Sequence, residues 1–384
     1  MAHRTPRAGT RRVTRREVAA GLATAGATAA LSYNCPCYEP QSRNGNARML
    51  SAFITGLEGP ELTPREAAVL REARPCGIIL FARNAVDPDQ LCRLTQAASA
   101  AVGEEILVLV DQEGGRVQRL RPPQWRALPA AAAYMRAFAS DPGRAAHAAR
   151  TSARLTAADL RAVGINTNCA PLLDVPAPGS HAVIGDRAYG PRAEEVAALG
   201  AAVAEGLMAG GVLPVMKHIP GHGRATADSH FDLPLVSASR EALEAVDFVP
   251  FRKLAALPAA MSAHVVFAAY DADLPASISR RVTEEVIRGS IGFDGLLMSD
   301  DLAMKALSGS VADKAAAVIA AGSDVVLACN GGLEETEAVA SVAPKLAGRA
   351  LQRFERARAV LGQQQSFEVA EAEACLAEVL HLAA

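Results

Sequence analysis

The sequence is poor in aromatic side chains: Phe, Trp and Tyr make up 4% of 384 residues, and Trp125 is the sole Trp. So few flat rings exclude extended aromatic stacking platforms. Charge of one sign is also missing. A formal net charge of −2 gives no electrostatic reason for nucleic acid or an anionic membrane as partner. No apolar run reaches the ~20 residues of a spanning helix, and the nearest approach is a mildly apolar stretch close to the N-terminus. The seven cysteines, at 35, 37, 76, 92, 169, 329 and 375, are scattered. Only Cys35 and Cys37 are neighbours, and one intervening Pro is poor spacing for a metal knuckle. No disulfide framework is suggested, which fits a reducing compartment. Cys76, Cys169 and Cys329 sit in or beside apolar runs and read as small buried hydrophobes.

Half of the residues are apolar and 21% are charged, as in a soluble globular enzyme. The length suits one α/β barrel. Residues 1–48 differ in kind, with eight Arg against two Glu (+6), whereas the remainder holds 31 basic and 39 acidic residues (−8). Within them Arg15 and Arg16 precede the run Ala19 to Leu31, which resembles a twin-arginine export signal. The alternative is a start assigned too early, because the sequence reads at once as folded protein from Met49. Residues 1–48 are therefore expected to form an extension and residues 49–384 one catalytic domain.

From about residue 50, short apolar runs alternate with longer amphipathic ones. The runs are AFITG (52–56), GIILF (77–81), ILVLV (106–110), GINTNCAPL (164–172), LPVMK (213–217), AAMSAH (259–264), GLLMS (295–299) and DVVLA (324–328). Continuous rather than alternating apolar character marks parallel strands buried on both faces. Stretches with helical spacing lie between them, such as PREAAVLREA (64–73), AEEVAALGAAVAEGLMAG (193–210) and TEEVIRGS (283–290), and the tail 367–384 reads as a last helix. Eight such units predict a single (β/α)8 barrel of the α/β class. An open doubly wound sheet is disfavoured, since no glycine fingerprint follows the first strand. Barrel active sites lie at the C-terminal strand ends. Asp111, Lys217, His218, His264 and Asp300 follow the apolar runs directly, so they are expected at that rim.

GLLMSDDLAM (295–304) ends an apolar run in two carboxylates. Asp300, nearer the strand, is the candidate nucleophile for an anomeric carbon; Asp301 is the candidate N-cap of a following helix. After Lys217 and His218, Pro220, Gly221 and Gly223 force an irregular loop carrying His222, Asp228 and His230. An Asp beside a His can fix its tautomer and support its charge, which makes His230 a candidate proton shuttle with Asp228 as its partner. His218 and His222 have HxxxH spacing, so a metal-dependent barrel hydrolase that also uses His264 is a rival. Pro220 and the glycines argue against the helix that such a zinc site needs. In DQEGGRVQR (111–119), Asp111 and the arginines can bind hydroxyls, and the paired glycines would let backbone approach a ligand. In VIGDRAYG (183–190), Arg187 is the useful donor.

Together these four segments resemble glycoside hydrolase family 3, specifically the single-domain bacterial β-N-acetylglucosaminidases of peptidoglycan recycling. The resemblance runs from about Met49 to the end of the barrel, and KH-x-PGHG, DSH and SDDL occur in the family's order. It implies a retaining hydrolase with Asp300 as nucleophile, His230 as general acid/base, Asp228 as its partner, and Asp111, Arg119, Arg187, Lys217 and His218 as sugar-binding residues. The acid would be a histidine, where most retaining enzymes use a second carboxylate. The chain has no length for the sandwich domain of the family's two-domain β-glucosidases. The resemblance further implies a muropeptide such as GlcNAc-1,6-anhydroMurNAc as small-molecule substrate, no cofactor or metal, no nucleic acid or stable membrane insertion, a monomer, and a cytoplasmic location (periplasmic if residues 1–31 act as an export signal). A family 3 glycosidase or phosphorylase of other sugar specificity remains the alternative within the family.

Overall fold

The apolar runs become eight parallel strands that close on one another. The computed structural model describes residues 49–383, apart from residues 140, 180, 226, 228, 230–232 and 331. The strands are β1 (Ser51–Gly56), β2 (Pro75–Leu80), β3 (Leu107–Val110), β4 (Thr167–Asn168), β5 (Leu213–Ile219), β6 (Ala259–Ser262), β7 (Leu296–Asp301) and β8 (Val325–Ala328). Each pairs in parallel with its neighbours in sequence, and β8 returns to β1 with Phe53 opposite Val326, which completes the barrel. All of β2, β5 and β7 is buried, as continuous apolar runs require when helices cover the outside of the sheet.

Local chemistry sets where the covering helices begin. In α1 (Pro64–Ala73), Thr63 Oγ1 accepts the N–H of Glu66, and Glu66 Oε2 accepts the N–H of Thr63. At α2 (Pro88–Val102) the Asp87 carboxylate accepts the N–H of Gln90, a single cap bond. The Ala-rich α3 (Pro142–Ala162) and α4 (Ala193–Ala209) pack closely, and a Cβ at Gly206 would lie 2.3 Å from Arg150 O. Farther on, α5 (Val311–Ala320) precedes β8, and the tail forms α6 (Val369–Ala383), whose Ala372 and Leu376 cluster with Leu155 of α3. TEEVIRGS lies in a π-helical segment, Val282–Ser290.

Three strand ends differ from the sequence reading. β4 is two residues long, because Asn166 and Asn168 replace ladder bonds with side-chain bonds: their Oδ1 atoms accept the N–H of Val108 (2.7 Å) and Gln112 (3.0 Å). β5 runs two residues further than LPVMK and includes both Lys217 and His218. β7 includes both Asp300 and Asp301.

At the opposite, N-terminal end, Asp324 accepts from Arg288 (2.9 Å), Arg353 (3.0 Å) and the N–H of Leu297 (2.9 Å), a buried polar knot that joins β7 and β8 away from the functional rim. Cys76, Cys169 and Cys329 are buried and free, as their apolar settings suggested. Cys92 is disulfide-bonded, which the scattered cysteine spacing did not suggest. Among the described residues no helix is long and apolar enough to cross a membrane.

Candidate active site

The C-terminal strand ends surround a pocket of about 300 Å³, lined by Asp111, Arg119, Arg187, Lys217, His218 and Asp300 together with an apolar floor of Ile79, Met261 and Leu327. The nucleophile candidate and all five predicted sugar-binding residues therefore meet in one place, although they come from four separate stretches of chain. Its volume is at the low end of small-molecule sites, roughly 300–1,000 Å³. Trp125 is buried elsewhere in the core and contributes nothing to the lining. Phe81 does line the pocket, but the guanidinium of Arg119 lies 5.4 Å from its ring centre, so a cation already occupies that face.

A charge cluster forms the β3 to β5 side. Lys217 Nζ is 2.7 Å from both Asp111 Oδ1 and Glu113 Oε1, and Arg119 donates to Asp111 Oδ2 at 3.0 Å. Arg187 grips Glu113 with two bonds of 2.8 Å. Burial alone would push the Asp111 and Glu113 carboxyls up, but Lys217 with Arg119, and Lys217 with Arg187, hold both below the usual carboxylate range. Against the same desolvation, the carboxylates hold Lys217 and Arg187 above their ordinary values. All of these groups are charged at neutral pH, with two carboxylates facing three cations. Lys217 donates a hydrogen bond to Asp111 and forms an ion pair with Glu113, which leaves N–H capacity for a ligand oxygen.

Sequence reasoning missed Glu113, which stood inside QEGG and was read as part of a glycine loop. The paired glycines serve the turn itself, and a Cβ at Gly114 (φ 103°) would lie 2.2 Å from Pro129 O. At Gly115 likewise, a Cβ would lie 2.7 Å from Ala130 Cβ. The Gly185–Arg187 turn is held by Arg116, whose Nη2 donates to Val183 O and Ile184 O and whose Nε pairs with Asp186 at 3.0 Å.

The β7 side carries the carboxylate pair. Asp300 Oδ1 accepts the N–H of Asp301 (2.9 Å), and Oδ2 is 4.0 Å from His218 Nε2. Asp301 is not a helix cap. The next helix is α5, capped by Ser310 nine residues later. The Asp301 carboxylate instead accepts the N–H groups of Ala303 (3.2 Å) and Cys329 (3.1 Å) and the Asn330 amide (2.6 Å), so it pins the β7 and β8 loops together.

The histidines divide by role. His264 is fully buried, with Nδ1 2.6 Å from Ser277 Oγ and Nε2 3.0 Å from Asp301 O, so both ring nitrogens are taken and it does not line the pocket. His218 lies on a strand and His222 on the following loop, which removes the helix on which a zinc HxxxH reading depends. Among the described residues no group of three His, Cys, Asp or Glu side chains is placed to hold a metal ion. Burial, reinforced by His218, pushes the His222 imidazole down, so that ring is neutral. Asp228 and His230 lie outside the described residues. Ser229 between them is buried and lines the pocket.

The sequence from 49 to 360 matches the glycosyl hydrolase family 3 N terminal domain. The chain is 42% identical over 286 residues to a beta-hexosaminidase of Alkalilimnicola ehrlichii, covering 73% of this chain and 81% of that one. It is 41% identical over 285 residues to a beta-hexosaminidase of Pseudomonas aeruginosa, covering 73% and 83%. Among solved structures, native NagZ from Neisseria gonorrhoeae superposes with a TM-score of 0.77 at 32% identity, covering 88% of this chain and 98% of that one. With the same protein in complex with N-trifluoroacetyl-D-glucosamine the TM-score is 0.78, again at 32% identity, covering 88% and 99%. Barrel, rim chemistry and sequence match agree: this chain belongs to glycosyl hydrolase family 3.

Proposed function

We propose that the protein is a retaining exo-β-N-acetylglucosaminidase that removes a terminal β-linked GlcNAc through a covalent glycosyl intermediate on Asp300. The observation that carries this reading is the placement of Asp300. Its carboxylate is at a strand end and lines a small pocket whose wall presents Asp111, Arg119, Lys217 and Arg187. Those charged donors and acceptors suit ring hydroxyls and an amide carbonyl, and fixing the sugar so that C1 faces Asp300 supplies orientation. The beta-hexosaminidase relatives and the aminosugar derivative bound by the gonococcal protein support an N-acetylhexosamine.

Asp300 attacks C1 as His230, supported by Asp228, protonates the departing glycosidic oxygen. A water then gives its proton to His230, and its oxygen displaces Asp300 from C1, so the configuration is retained. The leaving portion is a muropeptide, and the reading carries with it a part in cell-wall recycling in the cytoplasm. Assay of β-GlcNAc hydrolysis in fractionated cells tests that location, and activity confined to the periplasm sinks it.

The test of the chemistry is hydrolysis of aryl β-GlcNAc glycosides with good and poor leaving groups. The native protein should release β-GlcNAc first, seen by NMR before mutarotation. Measured as kcat/KM, which reports the glycosylation step, His230→Ala should slow the poor leaving group by about 10²–10⁴-fold and the good one far less, because only the former needs its proton. An initial α product, or equal slowing of both, overturns the mechanism.

A further inference from the structure

Between β4 and α4 lies Asp174, in a stretch no motif singled out. It is fully buried, with 0% exposure, and a buried carboxylate persists only with several donors. It has three, all from one short stretch of chain. Oδ1 accepts the backbone N–H of His218 (3.2 Å) and of His222 (2.6 Å), and Oδ2 is 2.7 Å from the Nδ1 of His218. Burial would push its carboxyl up, but the His218 ring and the other donors hold it below the usual range. An ionised carboxylate can only accept, so Nδ1 of His218 carries a proton. The other ring nitrogen, Nε2, is on the pocket side, 4.0 Å from Asp300 Oδ2. The backbone around Asp174 is equally constrained. Ala177 N donates to Gly223 O (3.1 Å), and a Cβ at Gly223 would lie 1.9 Å from Val175 O.

We infer that Asp174 is a positioning residue for glycoside cleavage: by accepting the Nδ1–H of His218 it fixes the ring's tautomer and presents Nε2 to the sugar beside Asp300. This rests on the glycosidase reading of the pocket. Asp174 acts through His218 and touches no substrate itself. With Nδ1–H given to Asp174, Nε2 is the nitrogen left to accept from the sugar on the pocket side. The opposite tautomer would be a donor there, and a sugar hydroxyl bound to Nε2 would lose its partner.

Asp174→Asn separates this role from a structural one. The asparagine oxygen can keep both backbone N–H groups, and its amide then faces Nδ1 and drives the ring proton to Nε2. ¹⁵N NMR of the ligand-free protein labelled at histidine, with His218 assigned from the His218→Ala variant, should show Nδ1–H in the native protein and Nε2–H in the variant. On a chromogenic β-GlcNAc glycoside, kcat should fall about 10–100-fold, the usual effect of removing a partner that orients a functional histidine. KM should stay within about threefold, since Lys217 and Arg187 keep their places. The double variant Asp174→Asn/His218→Ala should be no more than about twofold slower than His218→Ala alone, because the two residues act as one unit. An unchanged tautomer, or losses that multiply in the double variant, overturns the inference. If the native protein hydrolyses no β-GlcNAc glycoside, the glycosidase reading fails instead, and the ligand-free NMR result still judges the Asp174–His218 link.

Discussion

Asp300→Ala is expected to lower kcat for β-GlcNAc hydrolysis by about 10⁴-fold or more, over 5 kcal/mol of transition-state stabilisation, while leaving the fold intact. Folding depends little on this side chain. Its one close partner in the described structure is the N–H of Asp301, and His218 stands 4.0 Å away. The melting temperature should hold or rise, because a functional carboxylate at a pocket floor is kept for chemistry and not for stability. Asp301→Ala should do the reverse. It strands the buried N–H of Cys329, at about 1–3 kcal/mol for a donor left without a partner, and releases the N–H of Ala303 and the Asn330 amide, which lie at the surface where water can reach them. Its melting point should drop, with activity lost only as the loops loosen. Azide supplies the sharper test. In Asp300→Ala a small anion can enter the space the carboxylate leaves and attack C1 of an activated aryl glycoside, giving the α-glycosyl azide. A substrate-assisted route through the N-acetyl group would give no such rescue. If Asp300→Ala keeps normal rates and Asp301→Ala does not, the nucleophile is misassigned.

The parts of this site legible in the sequence are those where a single residue's place on a strand fixes its task. Apolar runs ending abruptly in Asp111, Lys217, His218 and Asp300 located the rim, because a parallel barrel strand cannot be apolar to its last residue and still leave chemistry at its end. The fourth strand was overlong in that reading, since Asn166 and Asn168 look like interruptions within a strand when they are substitutes for its ladder. Glu113 and Asp174 stayed hidden for a different reason. Each is defined by its partners, and those are 104 and 44 residues away in the chain (Lys217 for Glu113, His218 for Asp174). A carboxylate in QEGG or LLDVP looks like any loop acid until the barrel brings a lysine or a histidine ring to it. Asp301 was misread on the same ground: the loop donors it holds come from the β8 end, while local rules know only the helix-cap role.

Lys217→Met is expected to be the most destabilising single change at the rim, lowering the unfolding free energy by about 3–5 kcal/mol near pH 7. Methionine fills nearly the same volume, so the cost is electrostatic. Lys217 is 2% exposed and 2.7 Å from both Asp111 and Glu113, and its loss leaves two buried carboxylates with only Arg119 and Arg187. The dependence on pH separates this from lost packing. In the native protein both carboxyls are held below their ordinary values, so they contribute stability that is present above about pH 4 and lost as pH falls through their folded values. Without Lys217 the desolvation that it overcame pushes at least one carboxyl above its unfolded value. That group then contributes stability that is present below about pH 4 and lost as pH rises through the raised value. The gap between variant and native protein should therefore be widest at neutral pH and narrow towards about pH 4, as read from urea unfolding at several pH values. Activity should follow the same residue by another route, with kcat/KM falling about 10–150-fold for one charge-assisted hydrogen bond to the sugar. A stability gap that stays constant across pH would mean that Lys217 fills space at the rim and does not hold its charges together.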